Sequence, residues 1–244
     1  MLRLLVEAGS LREGAREVAG DDHHYLFRVR RLAAGDRLVL FDGEGTEADA
    51  EVASAGPRSG RLQVAAPRAV ADAPGPRVTV LLSIIKGERM DWCVAKLVEL
   101  GVGRIVPLAA ERSVVKLDPE RAERRAERYR AQVRAAAQQS RCPVLPRVDP
   151  ICPLDVALEQ VAAADLKLLL WEDPRAIPLR SAIPARAPEA TCVLVGPEGG
   201  FTSVEVEQAE AAGFVAVGLG RRILRAETAA VASAAILAYA LNDI

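Results

Sequence analysis

The sequence predicts an α/β protein in two parts: a small β-barrel over residues 1–72 and a parallel-sheet domain over residues 73–244. Three observations predict it. The first seventy or so residues are short alternating runs broken by tight turns, the pattern of a small barrel. The segment Ala71-Asp-Ala-Pro-Gly-Pro76 then reads as a linker. Beyond it, runs that are apolar on both faces alternate with helical patterns, as in a parallel sheet covered on both sides.

In the first part the predicted strands are Leu2–Val6, Arg37–Phe41, Glu47–Ala53 and Arg61–Ala66. Turn signals lie between them at Ala34-Gly-Asp36 and Asp42-Gly-Glu-Gly45. In the second part they are Val78–Ile85, Arg104–Leu108, Leu166–Trp171, Cys192–Val195 and Val215–Leu219. A short helix over Asp91–Leu100 stops at Gly101, a C′ glycine. Pro119–Gln139 carries Ala122, Ala126, Tyr129, Val133 and Ala136 at helical spacing, which turns its arginines outward. Thr202-Ser-Val-Glu205 is a capping box that opens a helix running to Gly213. Glu227–Leu241 is apolar nearly all round and so predicts burial against a sheet, a helix or a second subunit.

Composition narrows the function class. The 244 residues carry a net charge of −1, so no global basic signature for nucleic acid exists. The charge is uneven, however: residues 120–147 hold eight arginines against three glutamates. A solvated helix face with pairs such as Glu120–Arg124 is the simpler reading of that run. The four cysteines, at 93, 142, 152 and 192, have no C-x-x-C spacing, which argues against a zinc site or a disulfide framework. No metal is expected. No apolar leader and no run of about 18 apolar residues is present, so a soluble cytoplasmic protein without a membrane partner is expected. His23 and His24 are the only histidines, and a solvated loop is the simpler reading for them.

Chemistry concentrates in the last fifty residues. Cys192–Val195 runs into Gly196-Pro197-Glu198-Gly199-Gly200, and Val215–Leu219 runs into Gly220-Arg-Arg-Ile-Leu-Arg225-Ala-Glu227-Thr228. Glycine at a strand end lets the backbone approach a ligand and leaves its amides free to bind. Alone, either turn is an ordinary strand-to-helix connection. Neither G-x-G-x-x-G nor a P-loop occurs.

Taken together, these segments resemble the SPOUT class of RNA methyltransferases, and within it the RsmE family. The shared segments are Gly196–Gly200, Leu219-Gly-Arg-Arg-Ile-Leu-Arg-Ala-Glu-Thr228, Lys86-Gly-Glu-Arg-Met90, Lys96-Leu-Val-Glu-Leu-Gly101, Glu111-Arg-Ser113 and Gln139-Ser140-Arg141. The resemblance spans nearly the whole chain. It implies a PUA-like RNA-binding barrel followed by a SPOUT domain with a trefoil knot, a feature no first-principles argument would propose. It also implies a homodimer, with the knot and final helix at the interface, and methylation of a uridine N3 in small-subunit (16S) ribosomal RNA.

The methyl donor it implies is S-adenosylmethionine. Three stretches would hold it: Leu194, Val195, Gly196, Pro197, Glu198, Gly199 and Gly200; then Leu219, Gly220, Ile223, Leu224 and, in the following helix, Thr228; and the strand end at Leu170–Glu172. Leu219, Ile223 and Leu224 would sandwich the adenine. Arg225 would stabilise charge developing on the uracil carbonyls, and Glu227 would orient Arg225 or accept the proton. An ion pair at the start of the final helix is the plain alternative for Glu227. Arg3, Arg28, Arg31, Lys86, Arg89, Arg112 and Arg141 are candidates for phosphate contact. Two departures from the family pattern stand out: Arg30 in place of an apolar residue, and Gln138 in place of Glu. Two other functions remain open on the residues alone: a SPOUT enzyme acting on a ribose 2′-hydroxyl, and an RNA-binding ribosome assembly factor without activity.

Overall fold

The computed structural model describes residues 1–70, 78–113 and 118–241. The linker expected at Ala71–Pro76 lies outside the described residues. The chain forms two compact units, one of residues 1–73 with 137–145, the other of residues 74–136 with 146–244.

The first unit is built on a six-stranded sheet. Its strands are β1 (Leu2–Leu5), β2 (Gly14–Ala19), β3 (Arg37–Phe41), β4 (Thr46–Ala55), β5 (Ser59–Val64) and β6 (Arg68–Ala69). The order is β1-β3-β4-β5-β2, with β6 beside β4. Only the β1–β3 pair is parallel. Period-two alternation sends Leu38, Leu40, Ala48, Ala50, Val52, Leu62 and Val64 into one core with Leu4, Val18 and Leu26. At the predicted turn, Asp42 Oδ1 accepts from the amides of Glu44 (2.8 Å) and Thr46 (3.0 Å), an Asx-type turn that fixes the β3–β4 connection.

Three features of this unit were not read from the sequence. β2 breaks the expected run, because its burial alternates weakly. A helical turn α1 (Gly20–His23) runs into a π-helical stretch over His24–Val29. His23 is buried, with its Nε2 2.9 Å from the Gly56 carbonyl and its ring 5.1 Å from that of Phe27, so the solvated position expected for it is corrected. The third is the segment 137–145. Its Gln138 Oε1 accepts from the Leu5 amide at 3.3 Å, and the Leu145 amide donates to Gly43 O at 2.8 Å. A neutral amide at 138 therefore serves a backbone partner.

The second unit is an eight-stranded, all-parallel sheet. Its strands are β7 (Val78–Ser83), β8 (Arg104–Ala109), β9 (Arg147–Val148), β10 (Cys152–Pro153), β11 (Leu166–Leu170), β12 (Ile177–Pro178), β13 (Thr191–Val195) and β14 (Val215–Gly218). The order is β10-β8-β7-β13-β11-β14-β12, with β9 beside β8. The helices are α2 (Glu88–Glu99), α3 (Pro119–Ser140), α4 (Leu154–Gln160), α5 (Leu179–Ala182), α6 (Ser203–Ala211) and α7 (Ala226–Ala240). Every residue of β13 is buried, as its continuous apolar run requires. α4 and α5, too short to show periodicity, were not foreseen. On α3, Arg121, Arg124, Arg128 and Arg130 pair with Asp118, Glu120, Asp91 and Glu123, so much of the basic run is neutralised locally. α7 packs on α2, β7 and β13. None of the described helices is long and apolar enough to cross a membrane.

Candidate functional site

In a parallel sheet every strand presents its carboxyl end to the same edge, and ligands bind there. β13, β11 and β14 are neighbours in the order given above. The loops that leave their carboxyl ends therefore converge, although they are far apart in sequence. They line a cavity of about 1250 Å³, with Leu170–Pro174 from one loop, Val195–Phe201 from the second and Val217–Ala226 from the third. Lys86 and Arg89, after β7, and Arg112, after β8, complete the wall.

Most of the expected ligand residues thus come together. Leu170, Val195, Gly196, Pro197, Glu198, Gly199, Gly200, Leu219, Gly220, Ile223 and Leu224 all line the cavity. Leu194 does not: it is fully buried in the hydrophobic core on the other side of the strand. Thr228 is outside the lining as well, exposed in the first turn of α7 four residues after the cavity residue Leu224. Trp171 and Glu172, from the expected strand end, belong to the wall too, as do Asp173, Phe201 and Val217, which were not singled out beforehand. Strand ends next to glycine turns were the available signal for Val217 and Phe201.

The glycines act in different ways. Gly220 has φ +117°, and a Cβ added there would meet nothing within 4 Å, so backbone conformation and not crowding demands glycine. At Gly199 a Cβ would lie 3.2 Å from Arg112 Cβ and 3.3 Å from Arg112 O, so two loops are packed backbone to backbone. At Gly196 it would lie 3.1 Å from the Phe201 ring.

Charge is arranged around Glu198 and Glu227. Glu198 Oε1 accepts from the Lys86 amide (3.2 Å) and pairs with Arg89 Nη2 (3.1 Å), which ties the β13 loop to the β7 loop. Arg89 Nη1 also lies 3.8 Å from Glu227 Oε1. Glu227 is only 7% exposed, and its Oε2 has no hydrogen-bond partner among the described residues. Its ionic partner is therefore Arg89, whereas the sequence suggested Arg225. Arg225, the N-cap residue of α7, is exposed and lines the cavity, and its side chain has no ionic partner among the described residues. Behind this wall burial, reinforced by the Glu227 charge, pushes the Cys93 thiol up to about 12.

The remaining candidates lie in the first unit. Arg3 is turned inward: it pairs with Glu47 at 2.9 Å, its guanidinium stands 4.7 Å over the Phe41 ring, and its side chain is 10% exposed. That is a packing role, and Arg3 drops out of the phosphate contacts. Arg28 is exposed and donates to Pro57 O at 3.2 Å. Arg31 and Arg141 are exposed, and they are the only non-glycine residues with positive φ among those described, at 57° and 62°. A non-glycine side chain in that region is uncommon and costs conformational energy.

Comparison with known proteins agrees with this geometry. A family profile for an RNA methyltransferase domain matches residues 73–238, and one for an RNA methyltransferase PUA domain matches residues 18–64. The ribosomal RNA small subunit methyltransferase E of Bacillus subtilis is 31% identical over 228 residues, covering 91% of this chain and 89% of that protein. The chain belongs to this methyltransferase family. The crystal structure of the family member from Neisseria gonorrhoeae, bound to S-adenosyl methionine, superposes with a TM-score of 0.87 at 33% identity, covering 98% of this chain and 97% of that one. A Legionella pneumophila methyltransferase with bound cofactor SAM gives 0.88 at 29% identity, with 98% and 97% covered. The chain thus has a PUA domain towards the N-terminus and a SPOUT-type parallel α/β domain after it.

Proposed function

We propose that this protein transfers a methyl group from S-adenosylmethionine to N3 of a uridine in small-subunit ribosomal RNA. The observation that carries the reading is the convergence of three glycine-bearing loops from adjacent strands on one cavity, with Lys86, Arg89, Arg112 and Arg225 around it. The named relatives act on small-subunit ribosomal RNA, and the two solved relatives hold the donor.

The residues present fit that donor. Leu170, Val195, Leu219 and Leu224 offer an apolar slot for a flat ring. Ile223 lines the cavity yet is 82% exposed, an apolar side chain that an aromatic ring would cover. The backbone amides of Gly199 and Gly220 suit ribose and purine edges, while that of Gly200 is committed to the Pro197 carbonyl at 2.9 Å. When bound, the donor supplies an electrophilic methyl group.

The chain's own work is positioning and electrostatics. Uracil N3 carries a proton and becomes nucleophilic as that proton leaves, with charge spreading onto the flanking carbonyl oxygens. Arg225, exposed at the cavity and without an ionic partner among the described residues, would stabilise that charge. Glu227, buried beside Arg89, would set the position of Arg89 and the first turn of α7. Lys86, Arg89 and Arg112, with Arg28, Arg31 and Arg141 of the first unit, would hold RNA phosphates.

The reading extends to the trefoil knot of the class, to a cytoplasmic location and to a homodimer. α7 exposes Ile236 and, at 76%, Tyr239, apolar surface on a helix whose opposite face is buried, and a second copy would cover it. Nucleoside mass spectrometry of ribosomal RNA from a deletion strain, with and without the protein restored, tests the function. Loss and recovery of 3-methyluridine is expected. Unchanged 3-methyluridine, with loss of a 2′-O-methylated nucleoside in its place, would overturn the base-nitrogen assignment.

A further inference from the structure

A capping box normally uses its glutamate on one backbone amide of its own helix. Glu205 does more. Its Oε2 accepts from the Thr202 amide at 2.8 Å, closing the box at the start of α6. Its Oε1 accepts from the amide of Glu111 at 2.8 Å, a residue 94 positions earlier in the loop after β8. Thr202 Oγ1 also lies 3.4 Å from Glu111 Oε2. Glu205 is buried, so both carboxylate oxygens are committed to amides. The next residue in that loop, Arg112, lies against Gly199 of the donor-side loop, and its Nη1 donates to Gly199 O at 3.4 Å. The β8 loop is therefore pinned to the β13–α6 connection at two points, Glu205 and Gly199, with Arg112 between them facing the cavity.

We infer that Glu205 is a positioning residue for RNA grip: it holds the backbone that carries Arg112, and through Arg112 it sets how a phosphate of the RNA is gripped beside the donor pocket. The inference rests on the methyltransferase reading above. The physical basis is the one-sided chemistry of the contact. A carboxylate accepts on both oxygens, whereas an amide has one accepting oxygen and would turn its NH₂ group toward the other N–H donor. Glu205→Gln therefore preserves shape and breaks one link. Glu111→Pro breaks the same link from the other side, by removing the donating N–H, and leaves the capping box intact.

The test is a double-mutant cycle read in steady-state methylation of small ribosomal subunits that lack the modification. Glu205→Gln and Glu111→Pro are each made in the wild-type and in the Arg112→Ala background, with donor affinity measured by calorimetry and folding by thermal melts. A residue acting through Arg112 has nothing left to position once Arg112 is gone. Each variant is expected to raise KM for the RNA substrate by about tenfold in the wild-type background, the scale of one hydrogen bond to a charged group. The same change should be less than about twofold in the Arg112→Ala background, with donor affinity unaltered. An equal loss in both backgrounds, a loss confined to donor affinity, or an unchanged KM in the wild-type background overturns the inference. Absence of turnover in the wild-type protein would instead count against the methyltransferase reading itself.

Discussion

Arg89 reaches Glu227 across 3.8 Å while its other terminal nitrogen pairs with Glu198 at 3.1 Å. One guanidinium thus joins the glycine turn after β13 to the start of α7, two segments that line the same cavity. Glu227 is buried with one oxygen unpartnered among the described residues, so Arg89 is the cation that compensates it. Arg89→Ala should lower stability by about 1–3 kcal/mol, because a buried carboxylate loses its partner. Adding Glu227→Gln should recover part of that loss. Denaturant unfolding of the single and double variants checks it, and strictly additive losses would mean the pair is uncoupled.

Gly220 makes a different demand on the same cavity. Its φ of +117° strains any L-residue, while the space around it is open. Gly220→Val should therefore displace the loop and abolish donor binding without unfolding the protein. Calorimetry with S-adenosylmethionine is the measurement. Affinity equal to wild type would remove the β14 loop from the pocket.

Much of this cavity could be read from the chain. A strand that ends in glycine announces a turn, and two such turns with family-like sequences announced the pocket. What the sequence hid was the third dimension. Leu194 belongs to the same segment as Val195, yet strand alternation sends it into the core. Glu227 sits two residues from Arg225, but its partner lies 138 positions away, and no local rule connects them. Arg3 looked like any surface arginine until Phe41 and Glu47 closed over it. Residues 137–140 simply continue the α3 pattern before the chain leaves the helix at Arg141, and nothing local signals that 137–145 pack with the first unit.

Arg31 and Arg141 combine exposure with left-handed backbone. If each holds an RNA phosphate, Arg31→Ala and Arg141→Ala should weaken RNA binding and lower the slope of log affinity against log salt by about one unit or less each. Donor affinity should not change. Salt slopes identical to wild type would leave both arginines with a purely local role.

The buried cysteines set an alkaline limit. Burial pushes Cys93 and Cys192 up to about 12 from an ordinary 9. The folded state therefore keeps both protons that the unfolded chain releases above about pH 9. Stability should fall as pH rises from about 9 towards 12, and Cys93→Ser with Cys192→Ser should flatten that fall. Denaturant melts across this range check the sign. At neutral pH a thiol-alkylating reagent should reach Cys142 and Cys152, which are only half-buried, before the other two.

On the proposed mechanism, charge developing on the target base is met by Arg225 in a pocket where donor and RNA bind independently of it. Single-turnover methyl transfer with saturating donor and RNA measures this directly in Arg225→Ala. The predicted result is a rate loss of about 10²–10³, the cost of one preorganised charge-stabilising donor, with both affinities within a few-fold of wild type. Arg225→Lys should rescue poorly, because it keeps the charge and loses the planar fork. A near-wild-type rate in Arg225→Ala would contradict this role, and a rate loss matched by lost donor affinity would make Arg225 part of the pocket wall.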